Sequence, residues 1–305
     1  MPHNPRMTIS PASPRVSVLV VVADSGALTR ESIARALATP LAVECILVDN
    51  ASSDSIPQAL EGEYAGDDRF RVLYTGANLG FGPAVNRGAA LARGDYLLVL
   101  NPDCLLEPDT LPRLLEVLAA DPRNGLVGAV VCDSAGAADP ASRRRDPLLR
   151  RSLNTLTGRA AREAEHPRFE GITIPGPMPD GAEEVEAVSG ALMLLSRKVF
   201  ASLHGFDENY FLHCEDLDLC RRVRDAGYRV ILAGDVRVLH GKGGSSRHRP
   251  VFVSRHKHRG MWRWFRLHDP AARNPLVAGV VWLGIWSHFL LKIPMQLWRL
   301  SRSRA

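Results

Sequence analysis

The chain has 305 residues and a formal net charge of +5, and 46% of its residues are hydrophobic. This composition excludes wholesale disorder and fits one large domain with an appendage, or two small domains. The odd number of cysteines and the lack of a C-x-x-C pair argue against a disulfide framework or a zinc site. They favour reduced, mostly buried thiols at Cys45, Cys104, Cys132, Cys214 and Cys220. Residues 1–15 lack the apolar segment of a secretory signal, so we expect a flexible tail there and a cytoplasmic body.

Apolar runs and amphipathic stretches alternate over the first 131 residues. Val16–Val22 is continuous, apolar and β-branched, as in a strand buried on both faces of a sheet. Further strands are predicted at residues 43–48, Phe70–Tyr74, Tyr96–Leu100 and 126–131, and helices at 29–38, 56–64, 82–93 and 108–119. This alternation predicts right-handed βαβ units, and therefore an α/β fold with a mostly parallel, Rossmann-like sheet flanked by helices.

The middle of the chain is less regular. Residues 133–184 are rich in Arg, Ala, Pro and Gly, which predicts a long mobile loop of the kind that often forms a lid, with room for a short helix at 148–162. Order returns in the apolar segment 185–196, a helix at 216–226, and short strands at 228–232 and 236–240. The main domain is therefore expected to cover residues 16–246, with 247–305 as a separate helical region.

The C-terminal region concentrates positive charge and tryptophan. Residues 247–305 contain twelve Lys or Arg against one acid, a balance of +11, which leaves −6 for the preceding residues. The five tryptophans also lie there, at Trp262, Trp264, Trp282, Trp286 and Trp298. Such a pattern fits nucleic acid or an anionic membrane surface, and the apolar run at 276–291 favours the membrane and no nucleic-acid partner.

The apolar run is short for a membrane span. Its sixteen residues would cover roughly 24 Å as a helix, against about 30 Å of hydrocarbon. We therefore expect shallow or re-entrant insertion, with the protein attached peripherally or monotopically to the inner face of the plasma membrane. The alternative is a buried helical hairpin or a contact within a homo-oligomer.

Polar residues follow the second predicted strand. Asp49 and Asn50 begin a turn that continues through Ala51, Ser52, Ser53 and Asp54. Since ligands of parallel α/β sheets lie beyond the carboxyl ends of the strands, this carboxylate and amide are placed to bind a nucleobase or a ribose. The equally favoured alternative is a hydrogen-bonded Asx turn with a helix cap.

A glycine-rich segment precedes the third predicted helix. It runs Asn78-Leu79-Gly80-Phe81-Gly82, and Arg87 follows on the helix. Backbone amides at the positive end of a helix can approach a diphosphate, with Arg87 as a candidate cation. Glycine-rich loops are weak signals individually, so a simple turn is the rival interpretation.

The buried strand ending at Leu100 delivers Asn101-Pro102-Asp103 to the edge of the sheet. A diphosphate leaving group gains charge as its bond to a sugar breaks. Mg²⁺ or Mn²⁺ bridging a carboxylate and phosphates stabilises that charge, and these hard ions prefer oxygen ligands. We therefore predict a divalent metal at Asp103, with an acid in a proline turn as the alternative.

Two further groups of polar residues complete the pattern. Glu215, Asp216 and Asp218 stand at a predicted helix start, where an acid can cap the helix or serve as a general base; Asp218 is assigned the structural role. His240 ends a predicted strand and is a candidate metal or phosphate ligand, although a lone histidine is more often structural. Lys242, in a glycine-rich stretch, could fold over a diphosphate.

Taken in order, these segments resemble glycosyltransferase family 2, and most closely its bacterial rhamnosyltransferase-like branch. The resemblance covers residues 16–246 and is carried by Val48-Asp49-Asn50-Ala51-Ser52-Ser53-Asp54, Asn78-Leu79-Gly80-Phe81-Gly82, Leu100-Asn101-Pro102-Asp103 and Glu215-Asp216-Leu217-Asp218-Leu219. It implies a GT-A fold and a metal-dependent, inverting transfer of a sugar from a nucleotide-diphosphate donor. The donor suggested by this branch is dTDP-rhamnose, and the acceptor a saccharide or lipid-linked saccharide of the cell envelope.

The resemblance also implies roles for individual residues. Asp49 would bind the nucleobase, Asp103 the metal, and Asp216 would be the catalytic base. Ser189 and Gly190, with Glu215, would line the sugar or acceptor pocket, and His240 would approach the metal and diphosphate. Asn101 occupies the place where the family's metal motif often has its first acid. One departure is the turn Val22-Ala23-Asp24-Ser25, where the family usually has an Asn- or Tyr-containing turn.

Two other functions share parts of this pattern. A sugar nucleotidyltransferase should have a basic, glycine-rich loop after its first strand, and Ala23-Asp24-Ser25-Gly26 is neither basic nor rich in glycine. A catalytically inactive, membrane-associated protein that binds sugar nucleotides as a scaffold would not need Asp103 and Asp216. Both acids are present, which favours the transferase.

Overall fold

The computed structural model describes residues 15–241 and 249–303, with side chains as far as residue 298. In this part of the chain nine strands form one sheet. They are β1 Val16–Val22, β2 Val43–Asp49, β3 Phe70–Tyr74, β4 Tyr96–Leu100, β5 Cys104–Leu105, β6 Asn124–Cys132, β7 Ala182–Val185, β8 Leu192–Ser196 and β9 Arg229–His240.

The strand order is β3-β2-β1-β4-β8-β6-β9-β5, and β7 also pairs with β9. Strands β1 to β4, β6 and β9 run in the same direction, while β5, β7 and β8 are antiparallel to their neighbours. The predicted mostly parallel α/β sheet is therefore confirmed. Because the parallel strands share a direction, their carboxyl ends meet at one edge.

Helices cover both faces of the sheet. They are α1 Leu28–Leu37, α2 Ile56–Glu63, α3 Phe81–Leu91, α4 Thr110–Ala119, α5 Leu149–Leu156, α6 Arg197–Ser202, α7 Glu215–Asp225, α8 Pro250–His268 and α9 Pro275–Ser303. One buried cluster unites α1, α2 and α4 with one face. A second unites α3, α6, α7 and α8 with the other. The alternating side chains of β1 divide between the two clusters, which explains why the strand is apolar throughout.

Residues 133–184 have more structure than the sequence predicts. The helix near 148–162 is the shorter α5, followed by 3-10 turns at Arg159–Glu165 and Pro167–Phe169. The segment is tied to the body, since buried Asp146 pairs with Arg221 and Arg224 of α7. Its suggested action as a lid stays a prediction.

Strand β9 joins the two short strands predicted at 228–232 and 236–240. The interruption between them corresponds to an irregularity, where the partner of β6 shifts from Ala233 to Arg237. Strands β5 and β7 are not predicted from the sequence, because both are short and neither has a continuous apolar run.

The C-terminal helical region begins with α8, which packs into the core of the main domain. Trp264 of α8 is 1% exposed and belongs to the cluster that contains α7 and β8. Helix α9 packs along the outside of α8, with His258 Nε2 2.9 Å from His288 Nδ1. An 18-residue window within Pro275–Trp298 has a mean hydropathy of 1.7, and this part of α9 is long and apolar enough to cross a membrane by length and composition. The helix extends beyond the sixteen-residue apolar run at 276–291.

Candidate active site at the carboxyl edge of the sheet

Three side chains meet where β4 and β9 end. His240 Nε2 lies 3.0 Å from Asp103 Oδ1 and 3.2 Å from Asn101 Nδ2. The backbone fixes this arrangement, because Cys104 pairs with His240 across β5 and β9 and Gly241 N donates to Asp103 O at 2.8 Å. Side chains 139 residues apart in sequence are thereby held together.

This group has the chemistry of half a metal site. Asp103 offers carboxylate oxygens and His240 an imidazole nitrogen, both suited to a divalent ion. Among the described residues, no three His, Cys, Asp or Glu side chains gather in one place that could hold a metal. An ion here would take its remaining ligands from water and from the phosphate oxygens of a substrate, and the residues present fit that arrangement.

Asp216 lies in the first turn of α7, after two residues with left-handed backbone, His213 at φ 69° and Cys214 at φ 71°. Its Oδ2 accepts hydrogen bonds from Arg144 Nη2 at 2.5 Å and from Gly190 N at 3.2 Å. Its Oδ1 accepts from Leu217 N at 2.8 Å. Burial alone would raise the pKa of Asp216, but the charge and hydrogen bond of Arg144 outweigh it and hold the pKa below its usual value.

One turn connects Asp216 to the Asp103 group. Gly190 donates to Asp216, and the next residue, Ala191, accepts a hydrogen bond from Asn101 N at 2.8 Å. A Cβ on Gly190 would lie 3.0 Å from the Asp216 Cβ, so the absence of a side chain permits this close approach. Asp216 and Asn101 therefore flank the same two-residue stretch before β8. The side chains of Asp216 and His240 are 17% and 21% exposed, so both reach the surface of this edge.

Arg144 is the residue that sequence analysis missed. It lies in the segment 133–184, exchanges two backbone hydrogen bonds with Ala187, and donates from Nη2 to Val188 O at 2.6 Å. Arg144 thus carries a buried charge beside Asp216, 72 residues away in sequence. Arg144 is the second of three consecutive arginines, and a run of arginines usually indicates a solvent-exposed surface. Nothing in the local sequence therefore distinguishes Arg144 from its two neighbours.

A second polar cluster lies where β1 and β2 end. Asp49 is 5% exposed, and its Oδ1 accepts from Ser52 N at 2.9 Å, which is the Asx turn considered above. Asp24 joins the two turns, since its Oδ1 accepts from Ser53 N at 2.6 Å and from Ser53 Oγ at 2.9 Å. The unusual turn after β1 therefore has a structural role.

Asn50 is buried and its amide is occupied by the glycine-rich loop. It donates to Asn78 Oδ1 at 3.0 Å and Gly80 O at 3.1 Å, and accepts from Leu79 N at 2.9 Å. Asn50 thus holds the glycine-rich loop in place, and its role in donor binding stays a prediction. Asn78 Oδ1 likewise accepts from Gly80 N at 3.0 Å.

The two glycines serve close packing against the chain that leads to α7. A Cβ on Gly80, whose φ is +92°, would lie 2.5 Å from Phe211 O, and one on Gly82 would lie 3.0 Å from Phe206 Cβ. Arg87 is exposed six residues into α3, away from the metal-type group. The glycine loop therefore connects the turn after β2 to the segment that leads to Asp216.

The remaining predicted residues divide between structural and open positions. Ser189 is partly exposed and its Oγ accepts from Ala191 N at 3.3 Å. Glu215 is 7% exposed, and burial together with the charge of Asp216 raises its pKa above the usual value. Its place in the sugar or acceptor pocket stays a prediction. Asp218 is 1% exposed and bonded to Arg222 and His268, as a structural acid should be. Lys242 lies outside the described residues.

Comparison with known proteins identifies the family. A family model described as glycosyl transferase family 2 matches residues 17–177, more than half of the chain. The chain belongs to glycosyl transferase family 2. It is therefore a glycosyltransferase, and the resemblance read from its motifs is confirmed.

Named relatives of this family 2 glycosyltransferase include rhamnosyltransferases. It is 32% identical over 251 residues to the N-acetylglucosaminyl-diphospho-decaprenol L-rhamnosyltransferase of Mycobacterium tuberculosis, covering 74% of this chain and 79% of the relative. It is 23% identical over 228 residues to the rhamnosyltransferase WbbL of Escherichia coli, covering 65% and 83% respectively.

Solved structures establish the same fold. The mannosyltransferase PcManGT of Pyrobaculum calidifontis, in complex with GDP-Man and Mn²⁺, superposes with a TM-score of 0.58 at 20% identity, over 96% of this chain and 74% of that one. GalNAc-T7 with UDP, GalNAc and Mn²⁺ gives a TM-score of 0.58 at 14% identity, over 82% and 48%. The predicted GT-A fold is therefore confirmed, with one long apolar helix at the C-terminus.

Proposed function

We propose that this glycosyltransferase transfers rhamnose, with inversion, from dTDP-rhamnose to a lipid-linked saccharide used in cell-envelope polysaccharide synthesis. The observation that carries the proposal is the chain of hydrogen bonds from Asp216 through Gly190 and Ala191 to Asn101, whose side chain contacts His240 of the Asp103–His240 pair. Two relatives named as rhamnosyltransferases, one of which is named for a diphospho-decaprenol-linked substrate, support the choice of donor and acceptor.

The donor would lie along the carboxyl edge of the sheet. Asp49 would bind the nucleobase, and the loop of Asn78, Gly80 and Gly82 would present its backbone to the nucleotide. Asn101 would contact the diphosphate, and Arg87 and Lys242 are proposed as cations that bind its phosphates. Asn50 would act indirectly, by holding the loop in place.

Asp103 and His240 would hold Mg²⁺ or Mn²⁺ against the diphosphate. The ion, when bound, stabilises the negative charge that develops on the leaving phosphate. Support comes from the 3.0 Å approach of the two side chains and from the Mn²⁺ in the structures of PcManGT and GalNAc-T7. Asn101 Nδ2 lies 3.2 Å from the same imidazole nitrogen, Nε2, and would help to position the ring.

Asp216 would accept the proton of the attacking hydroxyl. As the acceptor oxygen bonds to the anomeric carbon, the bond from that carbon to the phosphate oxygen breaks and its electron pair leaves with the diphosphate. The proton passes to the Asp216 carboxylate, which its lowered pKa keeps ionised at neutral pH. Attack from the side opposite the leaving group inverts the anomeric configuration. Ser189 and Gly190 would line the acceptor side, with buried Glu215 behind them.

Helix α9 would attach the enzyme to the membrane that carries its acceptor. Only 11% of its apolar window is buried in the protein, and large apolar side chains such as Leu276 and Leu291 are 80% and 78% exposed. Since α9 lies along α8 and exposes mainly its outer side, we propose monotopic attachment at the inner face of the plasma membrane.

Purified protein incubated with a panel of nucleotide sugars and a GlcNAc-diphospho-lipid, with and without Mn²⁺, tests the proposal. We expect a rhamnosylated lipid, detected by mass spectrometry, only with dTDP-rhamnose and metal, and an inverted anomeric configuration by NMR. Nucleotide binding without turnover under every condition would instead favour the scaffold function.

Asp216→Asn tests the base directly. This isosteric change removes the proton acceptor, so transfer should fall by a factor of about 10² to 10⁴ while donor binding by calorimetry stays close to wild type. Asp225→Asn, at the exposed far end of α7, is the matched control and should remain active. Full activity of Asp216→Asn would reject the assignment.

A further inference from the structure

Helix α5 presents an unusual surface beside the base of α9. Leu149, Leu153 and Leu156 are spaced by four and three residues, so they share one face of the helix. Leu149 packs against the same small cluster, Phe265, Ala272 and Ala278, as Val277 and Val281 of α9, whereas Leu153 and Leu156 are 50% and 67% exposed. The apolar surface of α9 therefore continues onto α5.

The junction between the two helices is fixed. Leu149 N donates to Asp269 Oδ2, and Asp269 is buried in the turn that joins α8 to α9. Leu276 and Val280, in the first two turns of α9, are 80% and 69% exposed. The amino end of α5 therefore lies beside the exposed start of α9.

Arginines line a cavity beside this apolar strip. The cavity has a volume of about 540 Å³, and its walls are Arg150, Asn154, Arg159, Arg162, Arg168 and Phe169. None of these wall residues is an acid. Among the described residues Arg159 and Arg168 have no carboxylate partner, and Arg168 stacks on Phe169 at 4.8 Å.

The acids near the cavity do not neutralise it. Arg162 pairs with Glu165 at 2.7 Å and Arg150 with Glu170 at 3.4 Å, and the two arginines are 62% and 58% exposed. Exposed pairs of this kind contribute little stability, so a phosphate can replace the carboxylate. Guanidinium groups bind phosphate through paired hydrogen bonds, and leucines beside them can enter the acyl boundary.

We propose that α5 and its arginine-lined cavity form a second membrane contact, which binds the phosphate headgroups of anionic phospholipids beside α9. The inference rests on the proposed membrane attachment through α9 and extends it to a named lipid chemistry. The occupant follows from two features: the continuity of the apolar surface through Leu149, and the complementarity of the four arginines to phosphate.

Flotation of the full chain with vesicles tests the contact. Vesicles of phosphatidylcholine alone are compared with vesicles that also contain phosphatidylglycerol. Arg159→Gln with Arg168→Gln should lower affinity for the anionic vesicles by roughly tenfold or more, and leave the weaker binding to neutral vesicles unchanged. Leu153→Ser with Leu156→Ser should lower binding to both kinds of vesicle.

Arg69→Gln with Arg123→Gln is the matched control. It removes the same charge from exposed positions that precede β3 and β6, at the amino edge of the sheet, and should bind as wild type. Thermal melts establish that each variant is folded. If the control loses as much affinity for anionic vesicles, the effect depends on net charge alone and the proposed site is wrong.

Two other outcomes would also overturn the inference. In the first, Arg159→Gln with Arg168→Gln binds anionic vesicles as wild type does, although serines on α9 release the protein; α9 is then the sole contact and the proposed function stands. In the second, Arg159→Gln with Arg168→Gln lowers binding only to phosphatidylcholine vesicles that carry a polyprenyl diphosphate. That result would assign the cavity to the lipid-linked substrate. Transfer to a soluble acceptor in detergent, measured in parallel, reports separately on the proposed function.

Discussion

At the scale of single residues, the Arg144–Asp216 pair determines the protonation state of the candidate base. Both side chains are largely buried, and removing one partner of such a pair commonly costs about 3–5 kcal/mol because the other charge is left uncompensated. The remaining titratable groups that bear on Asp216 come from its own helix and the preceding turn: Glu215, His213, Cys214 and Cys220. Arg144 is therefore the nearby group that most strongly favours the ionised carboxylate.

Arg144→Gln should shift the acid limb of the pH–rate profile upward. Asp216 has a lowered pKa in the native protein, so the carboxylate persists as pH falls and is lost only when pH passes through that lowered value. Without Arg144, burial and the neighbouring Glu215 raise the pKa, and activity disappears at a higher pH. Arg144→Lys restores a charge and should return the limb most of the way. If the limb is the same in all three proteins, Arg144 has only a packing role.

Asp103→Ala should remove the metal dependence of donor binding. Calorimetry of the nucleotide with and without Mn²⁺ should show a large gain from metal in the wild type and almost none in the variant, because His240 is left as a lone protein ligand. Asp109→Ala, an exposed acid before α4 that makes no side-chain cap, is the control and should keep the gain. A metal effect that survives in Asp103→Ala would assign the ion elsewhere.

The sequence predicts the residues of this site unevenly, for a physical reason. Asp103 and His240 follow buried strands, and parallel strands bring their carboxyl ends together, so position in the chain predicts proximity. Arg144 reaches Asp216 only because residues 144 and 187 pair as an isolated bridge. No periodic pattern records that pairing. The hydrogen bonds of Asn50 to the glycine-rich loop could not be predicted, because an exposed amide and one bonded to a loop look identical in sequence.

At the scale of elements, long apolar strands could be predicted and short edge strands could not. Helices on both faces of the sheet bury Val16–Val22 and Tyr96–Leu100. Their apolar composition indicates this burial. Two short segments form strands because backbone N–H and C=O groups of β9 are available to pair with them; they are Ala182–Val185 and Cys104–Leu105. The long helix α9 was underestimated because Lys292 and Pro294 end the apolar run, although the helix continues through both.

The glycine loop is the element whose geometry allows the sharpest test. Gly80→Ala would place a Cβ 2.5 Å from Phe211 O, at a backbone conformation with φ +92° and ψ 171° that side chains rarely adopt. We expect a loss of about 3 kcal/mol or more in the free energy of unfolding. A strong loss of activity should accompany it, because Phe81 N donates to Phe211 O just before α7.

Gly66→Ala is the matched control for Gly80→Ala. Its φ of +95° is similar, but a Cβ there would meet nothing within 4 Å, so it isolates the backbone strain from the clash. Denaturant unfolding should show a smaller loss, of about 1 kcal/mol, with activity intact. Equal effects of the two substitutions would mean that the contact with Phe211 is unimportant.

At the scale of the whole molecule, α8 belongs to the catalytic body and α9 to its outside. Arg263 pairs with Asp207 at 2.5 Å, and His268 lies 2.8 Å from Asp218, so α8 is bonded at two points to the segment around α7. A Cβ on Gly260 would lie 2.7 Å from His213 O, three residues before Asp216. In the part of α9 whose side chains the structure describes, the helix packs mainly on α8 and on the turn before α9, and less on the sheet domain.

Removing residues 275–305 should therefore release the enzyme from membranes while leaving its chemistry intact. The truncated protein loses the exposed apolar stripe but keeps α8, so we expect it to remain with the soluble fraction in vesicle flotation and to rhamnosylate a soluble acceptor at a rate near that of the full chain.

Because the truncation also uncovers Trp262 and Phe265, a second variant guards against misfolding. Leu276→Ser with Val280→Ser and Leu283→Ser polarises side chains that are at least 59% exposed without shortening the helix. Each buried leucine contributes about 1.5–3 kcal/mol to transfer from water, so this triple variant should also lose most of its vesicle affinity. Membrane partitioning of the triple variant equal to that of the unaltered chain would show that α9 is not the anchor.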